Sequence, residues 1–557
     1  MVAAAHPAAS QAGLDVLKDG GNAFDAAVAV ASTLNVVEPF MSGVGGIGVA
    51  LLYVAREGRT RVLNFSGRAA SEATPDRFDE ETKQIGPKAP LIPGNVAGWL
   101  TWHESYGKLP RARLFRDAIE YAANGIPLTP FNAEMLQQNW KLLTSFDSTR
   151  QSFLSDATAP PPAGSLFFQR DLARSLAAIA EAGREAFYEG ALGQAIVASF
   201  RGQGGLITQD DLASARAEWE EPLSTTYRGH EVRVPPPNSS GFQIPETLNI
   251  LEGFDRLEYG TADTFHVLIE AMKLAIDDRL AYGGDPRTSG IPLERLVSKK
   301  YAATLRARID PRAARKQAPQ RYPREHLAAG DGVPGERAIP CERVPDTRDF
   351  PWRHGATRSR WQDGDEWWRH GLTTHFAVVD GEGNAVTVTQ TLGNAYGCGM
   401  VAGRTGIFLN NMCLWFDIDP SLPTVNLVAP RKRVDFCVAP VQVFDGGKLR
   451  LSIGTPGSYG ILQTTVQMLC NVLDFGMNVQ EAIEAPRFRL HEPGVMNFEG
   501  RFPPELVDDL NGRGHTITRL PQGWSRSVGG AHGVQVTPHG SLLGGADPRR
   551  DGVALGY

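Results

Sequence analysis

At Thr373 the residue pattern changes period, and that change limits what the chain can fold into more than any other feature. From about 100 to 300 the apolar residues recur at helical spacing, with a clear turn at Pro235-Pro236-Pro237-Asn238-Ser239-Ser240-Gly241. From Thr373 on they alternate: Thr374-His375-Phe376-Ala377-Val378-Val379-Asp380, a Gly381-Glu382-Gly383-Asn384 turn, then Ala385-Val386-Thr387-Val388-Thr389-Gln390-Thr391. A period of two on both sides of a glycine turn predicts a β-hairpin. Between the two regimes, residues 327–372 lose periodicity and gather Pro, Gly and charge. This surface linker of about 45 residues is far longer than the usual connection of about 5, and such loops usually have a job.

The N-terminal part reads helix, helix, loop, strand. Ala9, Ala12, Val16 and Leu17 give a helix over 7–19 that Gly20-Gly21 ends, and Asn22 caps a second helix through about Leu34. A glycine loop, Gly43-Val44-Gly45-Gly46-Ile47-Gly48, precedes a strand-like Val49–Val54. Gly43, Gly45 and Gly48 satisfy GxGxxG, but dinucleotide sites need a strand before that motif and a helix after it. With the order reversed, the loop reads as a tight turn that lets backbones approach closely.

Composition closes off several functions. The 557 residues are 42% hydrophobic and 21% charged, with a net charge of −6, and predict one large globular body with no general attraction to nucleic acid or to a membrane surface. The arginine-rich run Arg306, Arg308, Arg312, Arg315, Lys316, Arg321 and Arg324 reads as solvated helix and loop rather than a phosphate patch. Five cysteines at irregular spacing (Cys341, Cys398, Cys413, Cys437, Cys470) predict neither a disulfide framework nor a zinc site. The first residues lack the basic and apolar regions of a signal peptide, so the expectation is a cytoplasmic protein, or a periplasmic or secreted one if the start has been trimmed. His266 and Glu270, without a second histidine, read as part of an amphipathic helix rather than a metal site.

Two segments suit acyl chemistry. A strand that starts abruptly at Thr373 after a long exposed loop is where a chain can be cut to expose a new amine. A free α-amine titrates near pH 8 and can serve as base toward its own residue's hydroxyl, so one threonine supplies both base and nucleophile. On these residues alone, a Thr-Thr pair chosen for β-propensity is the stronger reading. The second segment is the strand 449–453, the turn Gly454-Thr455-Pro456-Gly457-Ser458-Tyr459-Gly460 and a helix from about Ile461 to Leu473. Strand, glycine turn, helix presents free backbone N–H groups at a positive helix end, which suits an oxyanion hole.

Ordered motifs along most of the chain reverse the balance at Thr373. They are Gly21 to Ala29, Val37-Glu38-Pro39 with Gly43, Gly45 and Gly46, Pro93 to Trp99, the Pro235 to Gly241 turn, Thr373-Thr374-His375-Phe376, Asn410-Asn411, Gly454-Thr455-Pro456-Gly457, Glu484 to Phe488 and Ala546-Asp547-Pro548-Arg549. Together they resemble the γ-glutamyltransferase family. The resemblance implies a four-layer αββα sandwich of the N-terminal-nucleophile hydrolase type, a large-subunit body (1–326), a linker ending at a cut between Leu372 and Thr373, and a small catalytic subunit (373–557). It implies that Thr373 forms the acyl-enzyme, that Thr391 hydrogen-bonds it, and that the Gly457 and Ser458 amides form the oxyanion hole. No metal or organic cofactor is called for, because base, nucleophile and oxyanion donors all come from the chain.

The substrate positions depart from the family pattern. Ser66 stands where family transpeptidases hold the glutamyl α-carboxylate with arginine, Arg68 being the nearest basic residue. Gly393, Met412, Trp415, Phe436 and Cys437 stand where they place polar contacts to the α-amino and α-carboxyl groups; Asn394 and Arg68 are the remaining polar candidates. Burying a charged glutamyl head there without partners costs several kcal/mol. The expectation is therefore an amide substrate with a different acyl group, apolar or dicarboxylic, transferred to water or an amine, by fragments that stay associated and are free to form a homo-oligomer. Two alternatives stay open: a true γ-glutamyltransferase acting on glutathione, and an uncleaved, non-catalytic homologue that serves as a binding protein. Trp352, Trp361, Trp367 and Trp368 are expected to anchor the linker to the body in preference to forming a lid over the site.

Overall fold

The computed structural model describes residues 1–255, 257–315, 372–422, 424–491 and 495–557. Most of the linker, its four tryptophans, Lys316, Arg321, Arg324 and Cys341 lie outside the described residues.

Two sheets carry the fold. In the first, seven strands run in the order Val553–Leu555, Val2–Ala4, Leu372–Val379, Ala385–Gly393, Ile47–Val54, Arg59–Phe65, Glu218–Glu220. In the second, six run in the order Leu542–Ala546, His532–Val536, Lys448–Gly454, Val441–Asp445, His230–Val234, Leu223–Tyr227. The 372–379 and 385–393 strands form the expected antiparallel hairpin, at the centre of the first sheet. Because both faces of that sheet are covered, every residue of the two strands is buried, and the alternation seen in the sequence separates two buried environments rather than core from water.

One of those faces meets the second sheet. Ala377, Val379 and Ala385 pack there with Phe444, Leu449 and Val534, and the Thr387 hydroxyl meets Ser452 across the gap. The other face meets helices Ala23–Val37 and Asn95–Tyr106, while Gln243–Leu251 and Ile461–Leu473 cover the second sheet. The layers are thus helix, sheet, sheet, helix, the αββα sandwich. Asn22 does cap the second helix, in a reciprocal capping box with Asp25.

The sequence pattern misses some elements. The strands between 218 and 234 interrupt a stretch that reads as helical; they are short, and the turn between two of them is Arg228-Gly229, both with positive φ, a weak hairpin signal. Val2–Ala4 is too short for any periodicity to show. Helix Ala262–Tyr282 is not amphipathic: nearly all of it is buried. Its His266 ring bonds to His515 at 2.8 Å and Glu270 takes an ion pair from Lys273 at 2.7 Å, so partners within the core replace water for its polar residues. The arginine run is also less solvated than it reads. Arg306 donates to the Ile250 carbonyl and Arg315 pairs with Asp277.

Candidate active site

The hairpin register sets the site. Thr391 lies opposite Thr373 and Thr389 opposite His375, and a bulge then sets Gly393 against Leu372. Directly opposed residues share a face, so Thr373, His375, Thr389 and Thr391 all point toward the second sheet. Three hydrogen bonds converge on Thr391 Oγ1. It accepts from the Thr373 hydroxyl at 3.2 Å and from the Gly393 N–H at 2.8 Å, and it donates to the Leu372 carbonyl oxygen at 2.5 Å. The bulge makes this possible by turning the Leu372–Thr373 peptide toward a side chain that a regular ladder would keep beside it.

Behind the threonine pair, His375 Nδ1 meets Thr389 Oγ1 at 2.7 Å. Burial, reinforced by His532, holds the imidazole well below its ordinary range, so His375 is neutral and engaged with Thr389. Thr374 points to the other face, where its hydroxyl donates to Glu38 Oε2 at 3.3 Å. Burial pushes the Glu38 carboxyl up to about 8 against the pull of Arg550. Glu38 stands out in the sequence only as part of a motif; its contact across the sheet, 336 positions away, has no local signal.

The glycine loop is the tight packing joint its composition suggests. A Cβ on Gly45 would strike the Phe408 carbonyl, and one on Gly46 would lie 2.6 Å from the Thr391 carbonyl oxygen. Asn410 secures this joint, with its N–H donating to the Gly45 carbonyl and its Oδ1 accepting from the Leu91 N–H.

The turn after strand Lys448–Gly454 lies at the same end of the hairpin as Thr373. A Cβ on Gly454 would strike the His375 ring, so the chain beyond it continues toward the start of the 372–379 strand. Gly457 has φ +133° and Ser458 φ +55°, and neither N–H has a hydrogen-bond partner among the described residues. The Thr455 hydroxyl donates to the Pro456 carbonyl at 2.9 Å and accepts from Gly530 N–H at 3.1 Å, which fixes the start of the turn.

Of the substrate-position residues, Met412 and Gly393 are in contact: a Cβ on Gly393 would lie 3.2 Å from the Met412 sulfur and would strike Asn411 Oδ1. With φ +99° as well, position 393 admits only glycine, which explains why no side chain stands there. Trp415 packs against Tyr459, ring centroids 5.5 Å apart, and Phe436 and Cys437 are fully buried. The Asn394 N–H donates to Asn411 Oδ1 at 2.9 Å, while its own Oδ1 has no partner among the described residues. The Arg68 guanidinium is already engaged, paired with Glu218 at 2.8 Å and bonded to the Arg431 carbonyl at 3.2 Å. Ser66 is likewise engaged, with Asn238.

An αββα sandwich whose central hairpin begins on a buried threonine pair is the architecture of the N-terminal-nucleophile hydrolases. Comparison with known proteins narrows the class. The family model for gamma-glutamyltranspeptidase matches residues 9–557. The chain is 37% identical to the glutathione hydrolase-like YwrD proenzyme of Bacillus subtilis, over 100% of this chain and 98% of that protein. It is 35% identical to the acylase ACY 1 proenzyme of a Pseudomonas species, over 100% and 93%. Its fold superposes on the cephalosporin acylase of Bacillus halodurans with a TM-score of 0.85 at 31% identity, covering 99% of this chain and 94% of that one. The chain belongs to the γ-glutamyltranspeptidase family and is an autoprocessed amidohydrolase or acyltransferase.

Proposed function

We propose that this protein cuts itself between Leu372 and Thr373 and then hydrolyses or transfers, through an acyl-Thr373 ester, an acyl amide other than a γ-glutamyl one. The observation that carries the reading is the Thr391 hydroxyl, which links the Thr373 hydroxyl to the carbonyl that hydroxyl would attack. As Thr373 Oγ bonds to the Leu372 carbonyl carbon, its proton passes to Thr391 Oγ and the Thr391 proton passes to the carbonyl oxygen. A neutral tetrahedral adduct forms without an external base. Its collapse breaks the C–N bond, returns a proton to nitrogen and leaves an ester that water hydrolyses. Leu372 then carries a carboxylate and Thr373 a free amine.

In the mature enzyme that amine takes the Thr373 hydroxyl proton during attack on substrate and delivers it to the leaving amine. The Gly457 and Ser458 amides receive the developing oxyanion, a contribution of roughly 3 kcal/mol per donor. Water or an amine then releases the acyl group. The apolar set Gly393, Met412, Trp415 and Phe436 leaves a glutamyl head short of polar partners, and Arg68 is occupied by Glu218. Both arguments favour an apolar acyl chain; a dicarboxylic chain, which lacks the amino group but keeps a carboxylate, would have to compete with Glu218 for Arg68. The two fragments would stay associated, since strands of both share each sheet.

Denaturing electrophoresis of the purified protein tests the first claim. Bands at about two-thirds and one-third of the 60.4 kDa chain are expected, and Thr373→Ala should remain a single band. The second claim is tested by release of 4-nitroaniline from γ-glutamyl, glutaryl and butyryl anilides. Faster turnover of the γ-glutamyl compound would make this a glutathione-type enzyme and sink the altered-acyl reading.

A further inference from the structure

We propose that Tyr459 is a positioning residue, tying the turn that carries the Gly457 and Ser458 amides to the wall of the acyl pocket. The inference rests on reading those amides as the oxyanion donors. Ser458 is held at φ +55°, a left-handed conformation that a residue with a Cβ adopts only when its surroundings enforce it. Thr455 secures the upstream side of the turn; on the downstream side the Gly460 N–H closes it on the Gly457 carbonyl at 3.1 Å, and the Tyr459 side chain ties it to the neighbouring segment.

Tyr459 is fixed at both its hydroxyl and its ring. The hydroxyl donates to Asp435 Oδ2 at 2.9 Å, the Arg279 guanidinium lies 4.0 Å over the ring, and the Trp415 ring packs beside it. The Asp435 anchor is itself immobilised. Its N–H donates to Asn426 Oδ1 at 3.0 Å and its Oδ1 accepts from the Ser240 hydroxyl. One ring therefore joins three parts of the molecule: the oxyanion turn, the 412–437 segment that supplies Met412, Trp415, Phe436 and Cys437, and helix Ala262–Tyr282.

Two consequences separate this role from general stability. The carbonyl cut during maturation is held by Thr391, not by the turn, so loosening the turn should leave self-cleavage intact while slowing turnover. The restraint should also be needed because position 458 carries a Cβ; glycine reaches φ +55° without strain.

Tyr459→Phe keeps the ring and removes the hydroxyl that bonds to Asp435. The expected result is fragment formation at the wild-type rate, with kcat on the best 4-nitroanilide about tenfold lower and KM within a factor of about two, as for an interaction felt in the transition state. In a Ser458→Gly background the same change should lower kcat less than about threefold, the deviation from additivity that coupled neighbours show. If Tyr459→Phe is insoluble, Asp435→Asn, which replaces a charge-assisted bond by a neutral one, is read the same way with a fall of about threefold expected. Wild-type kcat in the soluble variant, or an equal fall in both backgrounds, overturns the proposal. Turnover by Thr373→Ala would instead overturn the acyl-threonine reading beneath it.

Discussion

Replacing Thr391 by valine removes one hydroxyl and keeps the shape of the side chain. That hydroxyl makes three bonds within 3.2 Å: it accepts from Thr373 and Gly393 and donates to the Leu372 carbonyl. The kinetic loss follows from the third bond. A donor aimed at a developing oxyanion contributes about 3 to 4 kcal/mol, or 10²- to 10³-fold in rate, and in the proposed self-cleavage the same hydroxyl also relays the proton. Maturation should therefore slow at least about 100-fold. Stability should fall for a separate reason, because the Gly393 N–H is left buried without an acceptor, a cost of about 1–3 kcal/mol. Thr391→Ser, which restores the hydroxyl, should recover most of both losses. The assay follows precursor and fragments by denaturing electrophoresis after synthesis, alongside urea unfolding of the Thr373→Ala precursor with and without the valine. A Thr391→Val chain that matures at the wild-type rate would refute the relay, whatever its stability.

Further outcomes follow from the same geometry. Gly393→Asn, which puts a polar side chain at a position where the resemblance implies one, should not create a glutamyl site; at φ +99° and against Asn411 Oδ1 it should cost more than about 1 kcal/mol and displace Asn411, seen as a lower urea midpoint without a gain in γ-glutamyl anilide turnover. Glu38 should make stability depend on pH. Its folded-state pKa of about 8 lies above the ordinary value of 4.5, so the folded chain binds the extra proton. That contribution is fully present below about pH 4.5 and is lost as pH rises toward 8. Glu38→Gln, neutral throughout, should flatten the decline of the urea midpoint between pH 5 and 8; an unchanged slope would show that Glu38 is not its source.

The hairpin, the second helix and its cap, and the strand–turn–helix around Gly457 were legible because each has a strong local signal: alternation, a capping residue, a glycine run. The strands at 2–4 and 218–234 were not, since three to five residues carry too little pattern and gain their stability from neighbours far along the chain. The helix at 262–282 misled for the opposite reason. Its polar residues are satisfied by His515, Lys273 and Arg315, and no periodicity distinguishes a charge paired in the core from one in water. At the site, the threonines and glycines could be named from motifs, but the bulge that turns the Leu372 carbonyl to Thr391 is a property of register. The engagement of Arg68 with Glu218, 150 positions on, likewise appears only once the chain is folded.

The division of labour across the hairpin bears on how such a chain can change substrate. The groups proposed to act on the Leu372–Thr373 peptide, Thr373 and Thr391, together with the Gly393 amide that bonds to Thr391, all belong to two adjacent strands and are held by their register. The residues proposed to line the acyl pocket come from elsewhere: Met412 and Trp415 from the turn after Asn411, Phe436 and Cys437 from the segment anchored by Asn238 and Ser240. Exchanging a polar residue for an apolar one on those segments alters which acyl group can be buried without touching the bonds on which maturation depends. Gly393 is a point where the two sets meet, since its amide bonds to Thr391 while its Cα packs against Asn411 and Met412. A side chain there would have to satisfy both demands at once, and glycine, which offers an amide and no Cβ, removes the conflict.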